Sequence, residues 1–406
     1  MNTGNLASSR LSKLFDDNSF SELFLSSEAS IVIGKGVILG KTVYAFLQNP
    51  ENQNGALTKG SYEKLKALYD LVYKTGDPII GVYDGFGGKA DETEASLRAM
   101  SEIYKKISAL SGVVPQISLC LGNCVGSMAT AAFSADLIIA SKGSDLYDSC
   151  VAYKAETEDE AIETLRSIID KLPSNNLSDG DIFEWTDKPL NLQDTKDYMN
   201  LLADEFSSTL LYKDCGVLAD FCTVKGNPTM LLGFMGDITP KAAAIYSRLI
   251  RFADAYSLPI ISLVSKAVAS EDCPLSFADL YKTFASATTA KISVVLDEIY
   301  GSILSGYVLS GSDFTVALSS AVISAAKPSA AAYLLYSDEM EGDSEDEALK
   351  KITDKYIKEY ATAEKACEGG LISFTVEPKD LKAKLSDYLD VLSAKKETTL
   401  PKKHSI

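Results

Sequence analysis

The chemistry available to this chain is bounded first by what it lacks. It contains one histidine, His404, three residues from the end. A Ser-His-Asp triad, a Cys-His pair and a histidine-based zinc site are therefore not expected. Seven cysteines stand at 120, 124, 150, 215, 222, 273 and 367 with no CxxC pair. That spacing points to neither a zinc ribbon nor a disulfide framework, and reduced thiols are the expectation. Cys124 reads as a packed residue, not a nucleophile. What remains is backbone dipoles, carboxylates, lysines or the substrate itself. The stretch 115–140, PQISLCLGNCVGSMATAAFSADLIIA, offers the first of these. Its apolar run 117–121 predicts a strand, 122–127 a glycine-containing turn, 128–133 a helix of small residues, and 137–140 a second strand. A strand that turns sharply into a helix leaves N–H groups free at the helix start. Such groups can hold a negatively charged oxygen.

The elements that must position this turn follow from periodicity. Residues 61–75 place Leu65, Leu68, Leu71 and Val72 on one helical face. Residues 78–83, PIIGVY, read as a buried strand, and the loop 84–89, DGFGGK, as its exit. That loop lacks the GxxxxGK spacing of a phosphate loop. A helix is predicted over 92–110. Residues 30–47 read as strands, with Gly34, Gly36 and Gly40 as hairpin punctuation. A helix at 155–171 closes the first half, its acidic cluster taken as a solvated face. Trp185 reads as an anchor in a polar connecting segment. In the second half, helices are predicted over 198–210, 240–256 and 276–287, with strands at 217–224, 229–234 and 259–264.

The two halves repeat each other. Pro78-Ile79-Ile80 recurs as Pro259-Ile260-Ile261, and Leu57-Thr58 as Ile238-Thr239, both at a spacing of 181. Ile117-Ser118 matches Ile292-Ser293 and Gly126-Ser127 matches Gly301-Ser302, both at 175. Asp136, before LIIA, is echoed by Asp313, before FTVAL. The shared order predicts two copies of an α/β layered unit with right-handed crossovers, residues 1–197 and 198–406.

Length and charge set the class. The 406 residues carry 46% hydrophobic and 23% charged side chains, ordinary for a globular protein of two domains. A formal net charge of -17 argues against a nucleic-acid partner. It still allows a local anion site. The N-terminal sequence lacks the apolar core of a signal peptide, and no apolar run approaches the ~18 residues of a membrane helix. A cytoplasmic protein with no direct membrane insertion is the expectation.

Seven segments, in order, resemble the carboxyltransferase subunits of biotin-dependent acyl-CoA carboxylases and decarboxylases. Propionyl-CoA carboxylase β and methylmalonyl-CoA decarboxylase α chains are of this family. RLSKLFDDNSFSEL (10–23) is similar to its opening helix and turn, and NGALTKG (54–60) to its GGSLS segment. VYDGFGG (82–88) resembles its DSGGAR loop, and 113–129 its VPQIS…GPCAGGA stretch. LPSNN (172–176) is a frequent family string. RLIRFADAYSLPIISLV (248–264) resembles RFIRFCDAFNIPLVTLVD. The final 369–389 and PKKHSI resemble the family's terminal helix and PKKHGN close.

The resemblance implies two tandem crotonase-like (ClpP/crotonase) β-β-α superhelix domains, the first binding CoA and the second biotin. It implies carboxyl transfer between biotin on a separate carrier protein and the α-carbon of an acyl-CoA thioester, through two oxyanion-stabilised enolates and without a histidine base. No metal is implied. Carried over by position, Gly126 and Ser127 would hold the thioester oxygen. Ser302 and Ile303, after Tyr300-Gly301, would hold the biotin oxygen. Gly87, Gly88 and Lys89 would border the CoA site. Implied partners are a biotin carboxyl carrier protein, a biotin carboxylase or membrane decarboxylase subunits, and further copies of the chain in a homodimer or larger assembly. The departures are local: Lys89 stands where the family has arginine, Ser127 and Ser302 replace the second glycine of each pair, and 265–272 and 323–331 differ from the family's PGFLPG and MGPEGA loops. These keep two alternatives open, a non-catalytic or regulatory assembly subunit and a crotonase-type hydratase.

Overall fold

The computed structural model describes residues 6–25, 30–188, 195–269, 274–301, 307–309, 311–340 and 344–395. They divide into two compact units, Met1–Asp181 with Leu211–Asp214, and Ile182–Leu210 with Cys215–Ile406.

The first unit is built on a seven-stranded sheet whose strands lie side by side in chain order. They are β1 (Ser21–Glu22), β2 (Ile31–Ile38), β3 (Lys41–Gln48), β4 (Ile79–Gly85), β5 (Gln116–Cys124), β6 (Leu137–Ser141) and β7 (Tyr153–Ala155). β1, β2 and β3 pair antiparallel, and β3 to β7 parallel. Parallel strands covered on both faces read as continuous apolar runs, and β4 is buried at every position. Five helices accompany the sheet: α1 (Leu6–Leu14), α2 (Lys59–Thr75), α3 (Thr93–Leu110), α4 (Ser127–Phe133) and α5 (Glu158–Lys171). Leu65, Leu68 and Val72 of α2 meet Met100, Ile103 and Ile107 of α3 in one core with Ile79 and Tyr83 of β4.

The second sheet runs β8 (Leu210–Leu211), β9 (Leu218–Val224), β10 (Asn227–Ile238), β11 (Ile260–Ala269), β12 (Lys291–Val295), β14 (Phe314–Leu318) and β16 (Phe374–Val376). A separate pair joins β13 (Glu298–Tyr300) to β15 (Val322–Ser324). Helices α6 (Thr195–Leu202), α7 (Pro240–Ala255) and α8 (Pro274–Ser286) belong to this unit. Its core gathers Leu231, Ile261, Leu263, Ile292, Val294 and Val316 with Leu381 and Leu385 of the helix Leu381–Leu392.

The repeat is physical as well as textual. Thr58 caps α2 by accepting from Ser61 N, and Thr239 caps α7 by accepting from Ala242 N. Asp136 Oδ2 accepts the Gln116 N–H at 2.9 Å, and Asp313 Oδ2 the Lys291 N–H at 2.8 Å. Gln116 Nε2 donates to Ile107 O, beyond the middle of α3. Lys291 Nζ, in the same place, donates to Phe284 O and Ala287 O at the end of α8.

Three expectations are corrected. Gly34 and Gly36 lie inside β2, not at turns; the Phe20 and Phe15 rings pack against them, and the hairpin turns at Leu39–Gly40. The helix expected over 198–210 is Thr195–Leu202. It ends because the Asp204 carboxylate leaves the helical path to accept Thr223 Oγ1, Lys225 N and Gly226 N at the β9–β10 turn. The expectation of reduced thiols holds for Cys120, Cys124, Cys222 and Cys367, which are free, whereas Cys150 and Cys215 are disulfide-bonded. Cys273 and His404 lie outside the described residues. Among those described, no helix is long and apolar enough to cross a membrane.

Candidate active site

β5 runs three residues beyond the end of its apolar run and ends at Cys124. Val125 and Gly126 then form the turn into α4. Gly126 has φ 60° and ψ −130°, a backbone conformation that residues with a Cβ rarely adopt. A Cβ there would meet nothing within 4 Å, so conformation, not space, requires glycine. The first helical turn closes through Thr130 N to Gly126 O at 3.3 Å, and Tyr104 Oη of α3 donates to Ser127 O at 2.6 Å. Met128, Ala131 and Ala132 bury the inner face of α4. Among the described residues the N–H groups of Gly126 and Ser127 have no hydrogen-bond acceptor. They stand at the start of α4, where the sequence places the candidate anion-holding turn.

The loop leaving β4 comes to the same place. Gly87 packs against Val125 O and Ser127 Oγ, at 3.6 Å and 4.0 Å from where a Cβ would stand. The loop is fixed by the NGALT segment: Leu57 N donates to Gly87 O at 2.7 Å, and Lys89 N to Leu57 O at 2.9 Å. Gly88 lies over Tyr62 Oη and Ser96, both buried. Two segments distant in sequence, 84–89 and 125–127, thus form one site within the first unit.

Lys89 differs from expectation in its partners. Its Nζ lies 3.1 Å from Asp91 Oδ2 and 3.7 Å from Glu92 Oε1. The hydrogen bond to Asp91 and that residue's charge raise the ammonium's pKa. The cation is engaged within its own loop. Beside it, a groove of about 700 Å³ opens between α2 and α3. Its lining carries Lys59, Lys66 and Arg98 against Glu63, Asp91, Glu92, Glu94 and Glu102, so its net charge is negative.

Two carboxylates hold the tip of β5. Asp84 Oδ1 accepts Asn123 N at 3.1 Å and Asp145 Oδ2 accepts Cys124 N at 3.0 Å. Arg10 Nη1 donates to Asp84 Oδ2 at 2.7 Å. Burial works against the Arg10 charge, but hydrogen bonds to Glu158 and Asp84 outweigh it and raise the pKa further. The Cys120 thiol is pushed well up by its contact with Cys124 and by burial, which keeps it protonated. Both thiols are packed, as expected of Cys124.

In the second unit, β13 carries Tyr300 to Gly301, whose N–H donates to Ser324 O at 3.3 Å. Ser302 and Ile303 lie outside the described residues.

The family model described as the carboxyl transferase domain matches residues 5–149, from α1 past the Gly126 turn. Over that span the chain is similar to the carboxyl transferase domain. Similarity continues beyond that span. Methylmalonyl-CoA decarboxylase subunit alpha of Veillonella parvula is 26% identical over 478 residues, covering 98% of this chain and 92% of that protein. The carboxyltransferase subunit of propionyl-CoA carboxylase from Haloferax mediterranei is 26% identical over 442 residues, covering 92% and 84%. The crystal structure of transcarboxylase 12S with hydrolysed methylmalonyl-coenzyme A bound, described as a hexamer, matches with a TM-score of 0.88 at 22% identity. It covers 98% of this chain and 91% of that one. The likeness establishes the fold as tandem crotonase-like α/β units, as the sequence resemblance implies.

Arg10, Asp84 and Asp145 carry no chemistry that sequence reasoning singles out. The signal for Arg10 is its place on the buried stripe of α1, beside Ala7, Leu11 and Leu14. A charged residue there needs a buried partner.

Proposed function

We propose that this chain is the carboxyltransferase subunit of a biotin-dependent acyl-CoA carboxylase or decarboxylase, acting on the methylmalonyl-CoA and propionyl-CoA class. One observation carries the reading. The unpaired N–H groups of Gly126 and Ser127 open α4 beside Gly87, within the carboxyl transferase domain. When the α-carbon of an acyl-CoA gains or loses a carboxyl group, negative charge develops on the thioester oxygen. Preorganised N–H donors stabilise that charge, each worth roughly 3–4 kcal/mol in comparable sites. The helix dipole at the start of α4 acts in the same direction. Carrier-linked biotin supplies or accepts the carboxyl group when bound. Ser302 and Ile303 are the proposed donors on that side, with Tyr300 and Gly301 preceding them. A biotin carboxyl carrier protein and further copies of this chain are the proposed partners.

Ser127 allows a clean test. It is the first helical residue, where proline fits the backbone and only the N–H is lost. Ser127→Pro should lower carboxyl exchange between acyl-CoA and a biotinylated carrier by about 10²–10³-fold. Ser127→Ala should keep most of the rate. Equal turnover in both variants would remove this donor from the mechanism. A second reading, a non-catalytic assembly subunit, is favoured by two contacts: Lys89 is engaged by Asp91, and the Gly301 N–H by Ser324. It expects no exchange across a panel of acyl-CoA thioesters.

A further inference from the structure

Asp84 sits where β4 and β5 fall out of register. Tyr83 pairs with Cys120 and Gly85 with Cys124, so Leu121, Gly122 and Asn123 stand opposite Asp84 alone. Its carboxylate occupies the space this leaves. A Cβ on Gly122 would lie 2.0 Å from Asp84 Oδ1, so Gly122 is what lets the carboxylate approach. Oδ1 accepts the Asn123 N–H, three residues before Gly126, and Oδ2 accepts Arg10 Nη1. Asp84 is 6% exposed and Arg10 5%. The other edge of the guanidinium is held by Glu158, with Nε to Oε2 at 3.0 Å and Nη2 to Oε1 at 2.6 Å. Arg10 therefore ties the start of α5 to the tip of β5 through one planar group.

We infer that the buried Arg10–Asp84 pair is the positioning device of the acyl-CoA site. Neither residue reaches the reacting atoms. Asp84 fixes the tip of β5, Arg10 fixes Asp84, and together they set where the Gly126 and Ser127 N–H groups point. The inference rests on the function proposed above, because aim matters only if charge develops at that turn. A donor displaced by about 1 Å forfeits on the order of 10²-fold in rate. The side-chain chemistry suits the task. A carboxylate accepts a backbone N–H strongly, and the planar fork of arginine holds two carboxylates in fixed directions where lysine is a point charge.

The test uses the full-length chain with Arg10→Met, Arg10→Lys and Asp84→Asn. Lys13→Met is the control, because Lys13 also joins α1 to α5, through Asp159, but is exposed. Arg10→Met and Asp84→Asn should lower kcat for carboxyl exchange by about 30–100-fold with KM for acyl-CoA within about threefold. Arg10→Lys should recover part of the loss, and Lys13→Met should match the wild type. Hydrogen exchange followed by mass spectrometry gives a second readout. Peptides covering 119–130 should lose protection in Arg10→Met beyond the drop that lower global stability imposes on those of α2 and β3. Wild-type kcat and wild-type protection in folded Arg10→Met or Asp84→Asn would overturn the inference. So would a loss of protection spread evenly through the unit, which marks a pair that only stabilises. If the wild type shows no carboxyl exchange, the proposed function fails on its own. The exchange pattern then decides the positioning: local loss supports it and unchanged protection overturns it. Should Arg10→Met not fold, Arg10→Lys and Asp84→Asn carry the same comparison.

Discussion

Alanine at Gly122 and alanine at Gly126 test two different physical demands four residues apart. At Gly122 the new methyl would stand 2.0 Å from a carboxylate oxygen that Arg10 and Asn123 already hold in place. Nothing flexible is available to yield, so overpacking of about 2–3 kcal/mol is expected. At Gly126 space is open and the cost is the backbone conformation alone, about 1–3 kcal/mol. Thermal denaturation should therefore find both variants destabilised, with Gly122→Ala at or below Gly126→Ala in stability. The activity order should not follow it, because Gly126→Ala moves the donor N–H groups themselves. A Gly126→Ala variant that melts near the wild type but retains full carboxyl exchange would disconnect this turn from the chemistry. Arg10→Met should be more costly than either: it strands Asp84, buried on a side chain 9% exposed, at about 3–5 kcal/mol. Chemical denaturation of Arg10→Met beside the exposed Lys13→Met would show the contrast, with the latter within about 1 kcal/mol of wild type.

The helices that follow the first parallel strand of each unit share one start signal, and its energetic weight depends on surroundings. Thr58 is buried and bonds both Ser61 N and Ser61 Oγ, while Thr239 is exposed and accepts from Ala242 N. Thr58→Ala should cost about 1–2 kcal/mol and Thr239→Ala nearer 0.5, measurable as separate shifts in denaturant midpoint; equal losses would show that burial adds nothing to the cap. Both threonines stood out in the sequence as members of a repeated pair, though not as caps, as did Pro259-Ile260-Ile261 and the two aspartates before the LIIA and FTVAL strands. Local chemistry of this kind survives in a single chain because each residue acts within a few positions of itself. The same reasoning failed at Gly34 and Gly36, where the rings of Phe15 and Phe20 supply the explanation from outside the strand. It could name Gly126 and Gly87 as candidate site residues but not their meeting, nor the carboxylates behind them. Arg10 and Asp84 are 74 positions apart, and no spacing rule connects a helix stripe to a register shift between two parallel strands.

At the scale of the whole molecule, a chain with 56 acidic and 39 basic residues and one histidine changes its charge little between pH 6 and 8. Unperturbed carboxylates titrate near pH 4 and unperturbed lysines near 10, and the proposed site uses backbone donors. Stability and carboxyl transfer should therefore share a plateau across neutral pH. On acidification the charge passes from -17 through zero near the pI of about 4.6, and below it the 39 basic residues leave the chain increasingly positive, so self-repulsion grows again. Pairing is lost there as well. Asp16 is one example: burial pulls its pKa up, but hydrogen bonds from Arg166 and from backbone at Leu39 and Gly40 hold it below the usual carboxylate value. A carboxyl lowered in the folded state contributes stability above its unfolded pKa, and that contribution disappears as pH falls through the lowered folded value. Urea denaturation from pH 2 to 8 should thus show a flat top from 6 to 8 and a fall below about 4. Asp16→Asn should reduce stability on the plateau and converge with the wild type at the acid end. His404→Gln should leave both the plateau and the pH–rate profile unchanged. A step centred near pH 6.5 that vanishes in His404→Gln would mean that the terminal histidine enters the site and that backbone donors do not act there alone.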